Sequence, residues 1–131
     1  MSITPDQLRA KHRADDIEKQ AADTAGGDAA VQAAIKVITD LGITSTSHGS
    51  LVGTVEDRWR GVVWAASEHI SRRIAAAERQ YDWDDPWWRR EQAIADAKAA
   101  AIAELAPLRA FPSFRIRARN AVLVPHLADF R

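Results

Sequence analysis

The sequence contains no cysteine in its 131 residues. Disulfide bonds, thiolate nucleophiles and thiolate metal ligands are therefore excluded, while the redox environment stays open. No apolar run approaches the roughly 18 residues that a membrane-spanning helix needs. The N-terminal MSITPDQLRAKHR also lacks the apolar core of a secretory signal peptide. We expect a cytoplasmic protein, or one built into a particle that assembles inside the cell.

A net charge is also missing, because 18 basic residues balance 18 acidic ones. The two signs are unevenly placed along the chain. Residues 82–106 hold three bases and six acids, whereas residues 107–131 hold five arginines and the single Asp129. A local asymmetry of this kind indicates a contact surface more than a means of staying in solution.

The composition fits a single globular domain that spans residues 1–131. Hydrophobic residues make up 47% and charged residues 27% of the chain, close to the average for folded proteins. Alanine, the strongest helix former, occurs 26 times, mostly within helical patterns. These features predict an all-α fold, a bundle of about four helices.

Caps and apolar periodicity locate the helices at about residues 5–24, 29–41, 55–81 and 86–106. Thr4 with Gln7 forms a capping-box pattern before the first helix, and Thr54 is a suitable cap for the third. Asp28 and Asp85 are the expected caps of the second and fourth. The polar connection at residues 42–54 shows no periodicity and is the best candidate for a mobile loop.

The third predicted helix is the strongest of the four. Its apolar residues step by threes and fours and form one core stripe: Val55, Trp59, Val62, Val63, Ala66, Ile70, Ile74, Ala77 and Tyr81. Trp64 lies outside this stripe. It either packs internally, against the first helix, or forms the aromatic anchor of a partner contact.

Residues 107–131 form a C-terminal arm whose structure is ambiguous. Residues 114–119 read FRIRAR, which alternates apolar and basic side chains with the period of a strand. A helical spacing also fits, through Phe114, Ala118, Ala121, Val122 and Pro125. Because Pro112 and Pro125 bracket the run, we favour an extended arm or a short β segment.

The stretch YDWDDPWWRREQ at residues 81–92 combines aromatic with acidic side chains. Because Trp87 and Trp88 are adjacent in a helix, they diverge by about 100° and cannot both enter one core stripe. With Trp83, they form either an aromatic lid in which each ring is buried, or an exposed aromatic and acidic patch for a basic partner.

The C-terminal arm offers basic side chains for such a contact. Interleaved with aromatic residues, its candidate contact residues are Arg109, Phe111, Phe114, Arg115, Arg117 and Arg119. The arginines at 115, 117 and 119 share one face of an extended segment. This surface could meet the tryptophan region of the same subunit or of a neighbouring one, and a head-to-tail contact between identical subunits would form a ring or filament.

None of the candidate motifs for catalysis or metal binding in the sequence is complete. Asp82, Asp84 and Asp85 fail the EF-hand pattern, since a tryptophan occupies the glycine position. His12, Asp15 and Asp16 lie among charged neighbours on a polar helix. Serines and His48 crowd the 42–54 loop without fixed geometry. We therefore expect no metal and no cofactor.

The sequence favours a non-enzymatic interaction or assembly subunit, oligomeric or bound to a protein partner. In general organisation it is similar to phage head–tail connector subunits, a likeness of architecture that no motif supports. Binding of nucleic acid or another polyanion through the arginine-rich arm is the alternative, and a small enzyme without a recognisable site is the third hypothesis.

Overall fold

The computed structural model describes residues 3–11, 13 and 26–130. Of residues 129 and 130 it describes the backbone alone. The helices are α1 at residues 5–11, α2 at Asp28–Asp40, α3 at Val55–Glu78, α4 at Trp87–Glu104 and α5 at Pro112–Asn120. Short 3-10 helices at Ala106–Ala110 and Leu127–Phe130 flank α5. The predicted all-α bundle is confirmed. The second half of the predicted first helix lies outside the described residues.

Two helix starts form as the sequence predicts. At α1, the Gln7 backbone N–H donates to Thr4 Oγ1 at 3.2 Å, and Gln7 Oε1 accepts from the Thr4 backbone N–H at 3.0 Å. These reciprocal bonds are a complete capping box. At α3, Thr54 Oγ1 accepts from the Asp57 backbone N–H at 3.1 Å. Both patterns satisfy backbone donors that a helix start leaves without partners.

The other two predicted caps are wrong. Gly27 is the cap residue of α2, so Asp28 is the first helical residue. Pro86 is the cap residue of α4, and no side chain bonds to the helix start. The Asp85 carboxylate instead accepts from the backbone N–H of Asp82 at 2.9 Å. Asp85 therefore closes the turn that precedes α4, a local bond that competes with capping.

The core is built around α3, which contacts α2, α4 and α5. The middle of its predicted apolar stripe is buried, from Trp59 to Ile70. Side chains from α2 and from the C-terminal third of the chain complete this core: Val31, Ala34, Ile38, Ala101, Leu105, Leu108, Phe114, Ala118 and Leu127. Among the described helices, none is both long enough and apolar enough to cross a membrane.

The connection between α2 and α3 lies closely against α3, which argues against its predicted mobility. Ile43 is buried, and the Ser47 backbone N–H donates to Glu68 Oε1 at 2.7 Å. Gly61 of α3 provides the closest approach, because a Cβ atom at that position would lie 2.1 Å from the carbonyl oxygen of Ser50. The backbones can meet here only because Gly61 has no side chain.

The prediction of an extended C-terminal arm is wrong, since Pro112–Asn120 is the helix α5. Pro112 occupies the start of this helix, where its missing N–H has no cost, instead of bracketing a strand. Phe114 and Ala118, four residues apart, are buried against the core. The helical spacing therefore prevails over the alternation of the FRIRAR run.

A long part of the α3–α4 pair lies outside the core. Every buried residue of the described chain falls within positions 26–70 or 101–127. Residues 71–100 comprise the end of α3, the connecting turn and most of α4, and we call them the outer hairpin. Its inner side chains, such as Ile74 and Ile94, are half-buried. The hairpin therefore presents its turn away from the core.

Candidate protein-contact surfaces

Trp83, Trp87 and Trp88 form an exposed tryptophan patch at the turn of the outer hairpin. Their exposed fractions are 97%, 76% and 59%. The interpretation as a lid of buried rings is therefore wrong. A fully exposed tryptophan offers up to roughly 250 Å², so the patch leaves roughly 500 Å² of mostly apolar surface uncovered. Trp83 and Trp87 line one groove, whereas Trp88 is next to Trp87 in α4 and points about 100° away from it.

An acidic groove of about 280 Å³ adjoins the tryptophan patch. It is lined by Glu78, Tyr81, Asp82, Trp83, Asp85, Trp87 and Arg90. Arg90 Nη2 lies 3.6 Å from Glu78 Oε1, an exposed ion pair that is weakly stabilising. Asp82 and Asp84 form no ion pair with the other described residues. Aromatic walls beside carboxylates favour a cationic side chain.

The arginines of α5 do not share one face, contrary to the prediction for an extended arm. Arg117 turns inward, forms an ion pair with Glu56 and donates to Ser113 Oγ at 3.0 Å. Arg115 and Arg119 are exposed and lie four residues apart, one helical turn along the same side. Because successive residues of a helix are rotated by about 100°, alternate positions point to nearly opposite sides.

The exposed side of α5 continues into an apolar turn, which the sequence interpretation missed. Val122 and Leu123 are 90% and 89% exposed. Val122 lines a groove with Arg119 and Pro125 among others. The helical spacing predicts Val122 on the same face as Phe114, but α5 stops at Asn120. Local periodicity does not reveal that a turn presents these side chains outward.

The two phenylalanines of the arm belong to the protein interior. Phe114 is fully buried, so it is not a partner contact. Phe111 is half-buried and packs on Trp59, with ring centroids 6.1 Å apart. The guanidinium carbon of Arg117 lies 5.8 Å from the centroid of the Trp59 ring. An arginine–tryptophan contact therefore forms within the chain, although not with the tryptophan patch. Arg109 is exposed in the 3-10 helix before α5.

Trp64 is half-buried on the side of α3 that faces the connecting loop and α5. The ring of His48 meets it edge-on, with centroids 4.5 Å apart and planes at 77°. It also lines a groove of about 330 Å³ with Glu56, Val63 and Ile116 among others. The described part of α1 is exposed. The neighbours described for Trp64 thus come from the loop and α5, not from α1.

An ion-pair cluster joins α4 to α3 at Glu104, and no sequence motif indicated it. Arg73 Nε donates to Glu104 Oε1 at 3.0 Å, and His69 Nε2 lies 3.6 Å from the same oxygen. The hydrogen bond from Arg73 lowers the pKa of Glu104, against the opposing effect of burial. The ionised carboxylate is therefore the form that stabilises this helix contact.

Replacing Glu104 with glutamine is expected to lower the free energy of unfolding at pH 7 by about 1 kcal/mol. Because the folded-state pKa lies below the ordinary value of 4.5, the contribution is complete above that value. It disappears as pH falls through the folded-state pKa. Urea unfolding between about pH 6 and about pH 2 should show the difference between wild type and E104Q shrinking on acidification. E91Q, an exposed change on α4, is the control, and a difference for E104Q that is constant with pH would contradict the assignment.

The residues that suggested other chemistry are not assembled into a site. His48 packs on Trp64, and the Ser47 backbone bonds to Glu68. Within the described ranges, no group of three or more acidic or histidine side chains could hold a metal ion. His12, Asp15 and Asp16 lie outside those ranges. No family model, curated protein or solved structure matches the chain. The large exposed side chains of the tryptophan patch are therefore the main indication of function.

Proposed function

We propose that this chain is a non-enzymatic assembly subunit that joins other copies of itself through the tryptophan patch. The observation that carries the proposal is the exposure of Trp83, Trp87 and Trp88 together at one turn. Tryptophan is among the side chains that contribute most to protein interfaces, where it enters a desolvated centre ringed by polar groups. The aspartates around the turn supply that polar margin.

The area of the patch supports a role as the centre of an interface. A standard protein interface covers about 800 Å² on each partner. The exposed indoles of Trp83 and Trp87, which line one groove, supply part of such a contact area, and Trp88 is next to Trp87 in α4. The outer hairpin holds this area away from the core, where a second subunit can reach it without rearrangement of the buried residues.

The arginines of the C-terminal segment fit protein contact better than nucleic-acid binding. Arg117 is half-buried beside Glu56 and Trp59, and Arg109, Arg115 and Arg119 are exposed. Three exposed arginines on a chain of zero net charge give a weak field for phosphate. The setting that we propose is the cytoplasm or a particle assembled there, such as the connector of a virion.

Light scattering coupled to size-exclusion chromatography tests this proposal with the full chain. Wild type is expected to have a mass that is a multiple of 14.5 kDa. The triple variant W83A/W87A/W88A is expected to be a monomer with nearly unchanged thermal stability, because exposed side chains contribute little to folding. The matched control I3A/L8A/V52A removes three exposed apolar side chains outside the patch and should assemble like wild type.

Two results would overturn the assembly proposal. One is a wild-type chain that stays monomeric up to about 1 mM. The binding free energy between two copies would then be weaker than about 4 kcal/mol. The other is a triple variant that assembles as wild type does, which would place the interface elsewhere.

A further inference from the structure

The groove beside Trp64, which we call the α3–α5 groove, has the size and lining of a small-molecule site. Its volume of about 330 Å³ falls within the range of roughly 300–1,000 Å³ that such sites occupy. One wall consists of residues at helical spacing on a single side of α3: Glu56, Arg60, Val63 and Trp64. The other wall comes from α5 and the turn after it: Ile116, Arg117, Asn120, Ala121 and Val124. The lining is therefore mostly apolar, with a few polar groups on both walls.

Contacts within the chain hold the two walls of the α3–α5 groove in place. Arg117 of α5 forms an ion pair with Glu56 of α3 and donates to Ser113 Oγ at 3.0 Å. The edge-on contact with His48, with ring centroids 4.5 Å apart, favours one orientation of the Trp64 indole. The groove is thus formed before a ligand arrives, and binding requires little ordering of the protein.

Arg60 supplies the charge that is not balanced within the α3–α5 groove. Glu56 is the one acidic residue among the described lining residues, and its pairing with Arg117 offsets both charges. Arg60 is exposed and forms no ion pair or hydrogen bond with the other described residues. Asn120 adds a side-chain amide whose N–H groups can donate to an anion. The groove therefore has a net positive charge beside an apolar surface.

We propose that the α3–α5 groove binds a small monocarboxylic acid with a compact apolar body. The carboxylate lies at Arg60, whose guanidinium can offer it two parallel N–H donors. The apolar body lies against Trp64 and Ile116, where binding removes apolar surface from water. An ammonium compound of the same shape is disfavoured, because its charge has the same sign as that of Arg60. The groove does not include the tryptophan patch, so this site is independent of the proposed assembly.

Titration of the isotope-labelled full chain with phenylacetate, followed by NMR, tests this site. Phenylacetate is expected to shift the indole signal of Trp64, which is assigned by its loss in Trp64→Phe. The shift should saturate with a Kd of about 1 mM, the affinity of a small fragment. Phenylacetamide and phenethylammonium, the neutral and cationic probes of similar shape, are expected to bind at least about fivefold more weakly. The indole signals of the tryptophan patch should not move.

Arg60→Gln separates the charge from the apolar contact. It is expected to weaken phenylacetate binding about fivefold and to leave phenylacetamide binding nearly unchanged, because only the anion depends on the guanidinium charge. Arg89→Gln removes an exposed arginine from α4 and is the matched control, which should leave both affinities unchanged. The same titrations in W83A/W87A/W88A, whose groove is intact, should give the wild-type affinities whether or not the chain assembles.

Three results would overturn the assignment of a carboxylate site. One is the absence of a saturable shift up to about 10 mM phenylacetate. Another is equal affinity for all the probes, which would show adsorption to an apolar surface without use of Arg60. The last is an Arg60→Gln variant that binds phenylacetate as wild type does. A wild-type chain that is monomeric and binds phenylacetate would contradict the assembly proposal alone.

Discussion

Replacing Gly61 with alanine is expected to lower the free energy of unfolding by about 3 kcal/mol, at the upper end of what overpacking costs. The same change in the interior of a helix ordinarily stabilises a protein by up to about 1 kcal/mol. The sign reverses here because the added Cβ atom would lie 2.1 Å from the Ser50 carbonyl oxygen and 2.6 Å from its carbon. Both are backbone atoms, so no side-chain rotation relieves the clash.

The substitution forces the α2–α3 loop away from α3. That movement also strains the bond from the Ser47 backbone to Glu68 and the contact of His48 with Trp64. Urea unfolding followed by circular dichroism gives the change in free energy. Near-ultraviolet circular dichroism reports the packing of the tryptophans, Trp64 among them, in the folded variant.

Gly42→Ala is the control for the loss of a glycine without a clash. No atom lies within 4 Å of a Cβ atom at Gly42, but its φ of +85° is unfavourable for alanine. We expect a cost of about 1 kcal/mol there. A Gly61→Ala variant that unfolds at the same urea concentration as wild type, or a higher one, would show that the loop does not lie against α3 as described.

Replacing Trp59 with alanine is expected to cost about 4 kcal/mol. Trp59 is fully buried, and its indole N–H donates to the carbonyl oxygen of Gly26. Its ring also packs on Phe111 and lies beneath the Arg117 guanidinium. The Trp59 side chain therefore connects α3 to the residues before α2 and to α5.

Trp59→Phe separates the hydrogen bond from the apolar contact. We expect a cost of about 2 kcal/mol, since the phenyl ring keeps most of the packing and leaves the Gly26 carbonyl without its donor. Trp83→Ala is the control for the loss of an indole and should change the unfolding free energy by less than about 0.5 kcal/mol. Equal effects of Trp59→Ala and Trp83→Ala in urea unfolding would refute this division of the tryptophans into buried and exposed sets.

Helix positions could be predicted from the sequence because their determinants are local. The capping box at Thr4 and the cap at Thr54 depend on residues three apart, and the stripe of α3 depends on steps of three and four. The arm was assigned wrongly because FRIRAR satisfies two periods at once. Burial of Phe114 and Ala118 against the core decides between them, and that contact is not local.

The candidate surfaces were only partly predictable for the same reason. The identity of the tryptophans and their divergence at the start of α4 follow from the sequence, but their exposure depends on where the core ends. The apolar turn at Val122 and Leu123 depends on where α5 stops. The approach of Gly61 to Ser50 joins residues of a loop and a helix without any pattern that marks them.

The outer hairpin also bears on how such a protein can change over evolution. Because residues 71–100 contain no buried side chain, whole turns can be gained or lost in matched pairs on α3 and α4 without repacking the core. Each turn would shift the tryptophans by about 5.4 Å relative to α5. Hairpin length therefore sets how far the tryptophans lie from α5, and this distance can change while the fold stays the same.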